Sequence, residues 1–153
     1  MLLAAFLIGL DQLTKWWVVQ QLDLGAVVQI TPFFNLVHVL NPGAAFSFLA
    51  SESGWQKYFL SGVAVVASIV ILFMMRSSRG QKFTLFCLSC ILAGAIGNLI
   101  DRNIYGAVVD FLDFYYEHYH WPAFNVADVC ISVGAIGLIM DELLIKKSPK
   151  DKK

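Results

Sequence analysis

The chain has 153 residues, of which 58% are hydrophobic and only 14% are charged, and its formal net charge is zero. A soluble domain carries about 25% charged residues, so the composition excludes an ordinary soluble domain and indicates a membrane protein. The length allows one domain over residues 1–153. The zero net charge says nothing about nucleic acid; we expect no nucleic-acid partner, and we expect a monomer.

Four apolar segments are long enough to be transmembrane helices, since about 20 residues cross the hydrocarbon core. They cover about 2–19, 58–75, 83–100 and 124–144. The first could be mistaken for a signal peptide, but no basic residues precede it, and Asp11 and Lys15 interrupt it. We therefore expect it to be retained as the first helix.

The segments between these helices differ in character. Residues of about 26–49 are rich in β-formers, and Asn41-Pro42-Gly43 marks a turn. We predict a small antiparallel β-sheet there, with a further loop at 103–123 on the same side. The predicted fold is a mostly α membrane protein, a four-transmembrane-helix bundle with a small antiparallel β-sheet cradle on its outer side.

Charge and aromatic residues predict the orientation of this bundle. Segments 76–82 and 146–153 hold eight of the eleven basic residues, and basic loops stay cytoplasmic. All Trp and Tyr residues lie in or beside segments 20–57 and 101–123, and these residue types prefer the membrane interface. We expect both termini in the cytoplasm and the aromatic-rich surface outside.

Asp110 and Asp128 are the strongest candidates for chemistry. Both stand among apolar residues, and a carboxylate at membrane depth is costly enough to suggest a function. The short outer connection could bring them together, and a close pair would hold one proton between them, as in aspartic proteases. The alternative, that each Asp is a helix cap or a solvated loop residue, stays open here.

Two other acidic residues are better explained as structural. Asp101 could replace Asp110 as the partner, but the adjacent Arg102 favours its charged form and an ion pair. Asp11 and Lys15 are four residues apart, which predicts an ion pair on one helix face. Such pairing makes two charges tolerable in lipid.

The remaining polar residues give weaker signals. Asn41 could bind a peptide backbone or simply form a turn, and Asn98 and Asn125 could bind substrate or brace helix ends. His38, His118 and His120 lack a firm metal-ligand spacing, so we expect no metal site. Cys87, Cys90 and Cys130 are expected to be small packing residues.

Taken together, these residues resemble the bacterial lipoprotein signal peptidase (signal peptidase II) family. The resemblance covers nearly the whole chain and rests on five motifs in the family's order. They are Asp11-Gln12-Leu13-Thr14-Lys15, Asn41-Pro42-Gly43-Ala44-Ala45-Phe46-Ser47, Gly97-Asn98-Leu99-Ile100-Asp101-Arg102, Val108-Val109-Asp110-Phe111 and Phe124-Asn125-Val126-Ala127-Asp128.

The resemblance implies an aspartic endopeptidase of the bacterial inner membrane, without metal or organic cofactor. Such enzymes remove the signal peptide from diacylglyceryl-modified prolipoproteins by cutting just before the lipidated cysteine, and globomycin inhibits them. Carried over by motif, Asp110 and Asp128 become the catalytic pair. The residues that would bind substrate or support the site are Asn41, Gly43, Asn98, Asp101, Arg102, Asn125 and Ala127.

One departure from the family pattern concerns the loop after Asn41. The family usually has Thr there, whereas this chain has Pro42, which removes a backbone donor and stiffens the loop. The detailed contacts of the loop therefore stay open.

Two other functions would also fit a small helix bundle with polar residues at its centre. A proton- or cation-coupled transporter also places acidic residues in the membrane, but it would distribute them through the bilayer. A non-catalytic assembly subunit could pack through small residues, here Gly62, Gly94, Gly97, Gly134 and Gly137.

Overall fold

The computed structural model describes residues 1–43 and 54–147, the last four by their backbone alone. Its elements, in chain order, are α1 Leu2–Gln21, β1 Val27–Thr31, β2 Phe34–Asn41, α2 Trp55–Ser77, α3 Lys82–Ile104, β3 Val108–Tyr116, β4 Tyr119–His120 and α4 Val126–Lys147. Residues 44–47 of the Asn41 motif, and the end of the expected cradle beyond residue 43, lie outside the described residues.

Three of the helices are long and apolar enough to cross a membrane, namely α1, α2 and α3. This agrees with a mostly helical membrane protein. The helix α4 has 22 residues, but Asp128 lies near its start, and Asp141 and Glu142 lie near its end. It is not among the three, so the fourth span stays a prediction.

The sheet is small, antiparallel and ordered β1-β2-β3-β4. The antiparallel pair of β1 and β2 lies where the small sheet was expected. We expected a loop at 103–123, but β3 and β4 lie within it. The reason is that apolar β-formers such as Val108, Val109 and Phe114 pair with β2, so that Val39 stands opposite Asp110.

The helix α3 is the centre of the bundle, because it contacts α1, α2 and α4. Glycines allow α3 and α4 to approach closely: a Cβ on Gly94 would collide with the Ala127 carbonyl oxygen, and one on Gly134 would lie 2.5 Å from the Cys87 carbonyl oxygen. This close packing brings the polar side chains of the two helices within hydrogen-bond distance.

The small residues and cysteines mostly serve packing within the chain. Side chains added at Gly94, Gly97, Gly134 and Gly137 would all meet neighbouring atoms, whereas Gly62 faces open space. Four of the five glycines considered for subunit assembly therefore pack against other parts of the same chain. The three cysteines are free and buried, as predicted for packing residues.

Candidate active site

The strand β3 and the first turn of α4 bring Asp110 and Asp128 to one cavity. A bridge between Leu112 and Phe124 joins the strand to the segment that leads into α4. Asp110 is only 2% exposed, and Asp128 is partly exposed. The expected convergence of these two segments is thus present in the structure.

Asn125 connects the two acidic residues. Its side chain is fully buried. The Asn125 Nδ2 atom donates to Asp110 Oδ1 at 2.6 Å, and its Oδ1 atom accepts from the Asp128 backbone N–H at 2.9 Å. One amide side chain therefore fixes Asp110 relative to the start of α4.

Asp110 lies in an environment that favours its protonated form. Burial, and secondarily the nearby charge of Asp128, raise the pKa of Asp110 from 3.8 to about 7. Hydrogen bonds from Asn41 and Asn125 and the charge of Lys15 oppose this change. The Asn41 Nδ2 atom donates to Asp110 Oδ2 at 3.1 Å, and Asn41 Oδ1 accepts from the Gly43 N–H at 3.0 Å.

Asp128 accepts two hydrogen bonds at the beginning of α4. Asn98 Nδ2 donates to Asp128 Oδ1 at 2.8 Å, and the Asn125 N–H donates to Asp128 Oδ2 at 3.3 Å. Since Asn125 also caps the Asp128 N–H, these two residues form a reciprocal capping box. The capping explanation of Asp128 and its place in the cavity are thus compatible.

A buried charge cluster lies beside this cavity. Lys15 Nζ is 2.9 Å from Asp11 Oδ2 and 2.8 Å from Asp101 Oδ2. The ion pair expected between Asp11 and Lys15 is present. Asp101, which we expected to pair with Arg102, pairs instead with Lys15, because α1 packs directly against α3. It also accepts the Val109 N–H at 3.1 Å, which anchors β3 to α3.

Arg102 joins the site to the loop that follows β2. Its Nη2 atom donates to the Gly43 carbonyl oxygen at 3.0 Å, and Nη1 donates to the Asn98 carbonyl oxygen at 3.4 Å. Within the described residues its buried Nε atom has no hydrogen-bond partner. Because Arg102 lines the cavity, its guanidinium group supplies positive charge at the cavity wall.

One contribution was not identified from the sequence, namely that of Gln12. Its Nε2 atom donates to Asp101 Oδ1 at 2.9 Å and to the Gly97 carbonyl oxygen at 3.2 Å, and its position inside the first motif was the available signal. Ala127, which the resemblance placed among the supporting residues, contributes through its backbone, because its N–H donates to Asp11 Oδ1 at 2.8 Å.

The histidines take positions away from this centre. His120 Nδ1 lies 2.9 Å from Asp113 Oδ1, and His38 Nδ1 lies 2.8 Å from the Leu22 carbonyl oxygen. Among residues 1–43 and 54–147, no group of three or more His, Cys, Asp or Glu side chains could hold a metal ion.

The cavity has a volume of about 660 Å³ and a distinctly two-part lining. Polar groups converge at one end, and the walls are apolar side chains of α2, α3 and α4, such as Leu60, Ile91 and Ile136. A site of this kind can hold a polar reacting group beside a hydrocarbon chain.

The helices and the buried acidic groups at a shared cavity define a membrane-spanning enzyme. Two solved structures, each described as a bacterial membrane enzyme studied by the in meso method, have the same fold. One has a TM-score of 0.87 at 30% identity, covering 99% of this chain and 92% of that chain. The other has a TM-score of 0.83 at 29% identity, covering 96% and 92%.

Comparisons of the sequence identify the family within this class of membrane enzymes. The family model described as signal peptidase (SPase) II matches residues 3–144, so the chain belongs to the signal peptidase II family of membrane proteases. Two similar relatives are both called lipoprotein signal peptidase. The one from Cupriavidus necator is 51% identical over 94% of this chain and 82% of its own length. The one from Tolumonas auensis is 51% identical over 99% and 93%. None of these comparisons supports a transporter.

Proposed function

We propose that the chain is an aspartic endopeptidase in which Asp110 and Asp128 form the catalytic pair. Its substrates would be diacylglyceryl-modified prolipoproteins, cut just before the lipidated cysteine. The observation that carries the proposal is the arrangement of two acidic side chains at one cavity, linked by a buried asparagine. Membership of the signal peptidase II family supports the reaction.

The reaction follows from one proton shared between two carboxyl groups. The anionic aspartate takes a proton from water, and the resulting hydroxide attacks the scissile carbonyl carbon. The neutral aspartate gives its proton to the carbonyl oxygen, which forms a tetrahedral diol. The first aspartate then protonates the leaving amine while the second regains a proton from the diol. Water and two carboxyl groups are sufficient, and we propose no cofactor.

The lining of the cavity supports a lipidated substrate. The peptide would lie at the polar end, near Asn41, Gly43 and Arg102, and the acyl chains would lie against the apolar walls of α2 and α4. Because both regions meet at the membrane interface, the substrate would enter sideways from the lipid. Globomycin would compete for the same space.

The orientation proposed from the sequence places this site outside the cytoplasm. With α4 as a fourth span, both termini are cytoplasmic, and the sheet and cavity face the periplasm at the inner membrane. The supporting observation is that basic residues gather at the α2–α3 connection and after α4, whereas the sheet segments contain aromatic residues. We propose that a single copy of the chain forms the whole site.

The proposal is tested with purified protein in detergent and a diacylated prolipoprotein, with an unlipidated form as the substrate control. Asp110→Asn and Asp128→Asn should abolish release of the signal peptide while the proteins stay folded. Asp141→Asn is the matched control, because Asp141 lies at the other end of α4 and accepts from Thr84 Oγ1 at 2.7 Å. Full turnover by either dyad variant would refute the assignment.

A further inference from the structure

Lys15, in α1, is only 2% exposed. It does not line the cavity, but only the side chain of Asn98 separates it from Asp128. Its ammonium group contacts three acceptors, namely Asp11, Asp101 and the Oδ1 atom of Asn98, the last at 3.0 Å. These contacts match the three N–H groups of a lysine, so the ammonium group is fully used.

The contact with Asn98 decides which way that amide faces. Because Lys15 can only donate, Asn98 must present its oxygen to Lys15 and its NH₂ group to Asp128, where the distance is 2.8 Å. Asn125 Nδ2, at 3.3 Å from the same oxygen, favours the same orientation. A flipped amide would place donor against donor and oxygen against carboxylate, and both contacts are repulsive.

We infer that Lys15 is a positioning residue for the proteolysis proposed above. By holding the oxygen of Asn98, it keeps the NH₂ group of Asn98 on Asp128 and thereby fixes the position of that carboxyl group at the cavity. The link to the reaction therefore runs from α1 through α3 to α4. It goes beyond the structural ion pair, because it acts on a group at the cavity.

Charged groups from three elements lie close to Asp128 or are joined to it through Asn98. Arg102 of α3 and Asp110 of β3 interact with Asp128 by charge. Lys15 of α1, paired with Asp11 and with Asp101 of α3, reaches Asp128 through Asn98. The charge of Lys15 also acts on Asp110 through space, whereas its action on Asp128 runs through the hydrogen bonds of Asn98. This difference makes the inference testable by coupling Lys15 to Asn98.

The first test compares Lys15→Met with Lys82→Met, a control at the exposed start of α3. A hydrogen bond to a charged group predicts that Lys15→Met lowers kcat about tenfold to a hundredfold. KM should stay within about twofold, because the contact acts on the reacting group rather than on substrate binding. Lys82→Met should match wild type, and a wild-type kcat in folded Lys15→Met would overturn the inference.

The second test is a double-mutant cycle. If Lys15 acts through Asn98, Lys15→Met should change kcat less than about threefold when Asn98→Ala is already present. Asn98→Ala alone should lower kcat by a similar factor. Independent, multiplicative losses would overturn the inference, as would a wild-type kcat in folded Asn98→Ala. If Lys15→Met does not fold, Lys15→Met/Asp11→Asn replaces it with a balanced charge.

A readout without substrate separates this inference from the proposed function. The infrared band of the Asp128 carboxyl group, recorded at one fixed pH and assigned by difference from Asp128→Asn, should change frequency in Lys15→Met and in Asn98→Ala, because the hydrogen bond from Asn98 is misdirected or lost. A wild-type frequency in both variants would refute the role of Lys15. If wild-type protein released no signal peptide, the proposed function would fail, but the band frequency would still decide the inference.

Discussion

The Asn125 side chain has two roles: it caps α4 at the Asp128 N–H, and it donates a hydrogen bond to Asp110. Replacing Asn125 by serine separates these roles. Serine is a good helix cap, so Asn125→Ser should keep an acceptor for the Asp128 N–H. Serine is too short to replace the donor that reaches Asp110 Oδ1 at 2.6 Å. The cap affects the stability of α4, and the hydrogen bond to Asp110 affects the proposed catalytic pair.

The expected size of the effect follows from the kind of bond that is lost. A buried acceptor that loses its donor costs about 1–3 kcal/mol, which corresponds to a loss of about fivefold to a hundredfold in kcat. Asn125→Ala should lose this bond and also the cap, which adds about 1 kcal/mol of destabilisation. Both variants should therefore be slow, and Asn125→Ala should also melt at a lower temperature.

The assay combines kcat on diacylated prolipoprotein with the thermal midpoint in detergent. Asn35→Ser is a matched control, because Asn35 Nδ2 donates to Asp113 Oδ2 at 2.8 Å in the same sheet but outside the cavity. It should lower the midpoint and leave kcat unchanged. Wild-type kcat in Asn125→Ser would refute the reasoning, and so would equal midpoints for Asn125→Ser and Asn125→Ala.

Three further predictions follow from the same geometry. Because the pKa of Asp110 is raised from 3.8 to about 7, the pair should lose its shared proton and kcat should fall as pH rises past about 7; constant kcat well above that pH would contradict this. By the same linkage, the stability that protonated Asp110 contributes is complete below about pH 3.8 and is lost as pH rises to about 7. The midpoint of Asp110→Asn relative to wild type should therefore increase over this range, and a decrease would argue against a buried neutral carboxyl. Gly97→Ala would place a Cβ 2.5 Å from Asp11 Oδ2 and should cost about 1–3 kcal/mol by overpacking. Gly62→Ala, with open space around it, should leave the midpoint unchanged, and equal losses in both would show that the α1–α3 approach is not tight.

The sequence by itself determined the class of protein, the helices and the residues worth attention. Long uncharged runs predict helices in lipid because each exposed backbone group there must find a partner within its own segment. The cost of burying charge is a local property, and it singled out Asp110, Asp128, Asp11 and Lys15 before any contact was known. Family motifs then supplied the roles that composition could not.

Only the tertiary structure decided which of these groups meet. Asp101 was assigned to its neighbour Arg102 in sequence, but packing of α1 against α3 gave it to Lys15. Residues 103–123 became strands because β2 was available to pair with them. The side-chain contacts that Asn98 and Asn125 make with other elements join residues between 15 and 83 positions apart. Such distances are set by how helices and strands pack, and no local pattern encodes them.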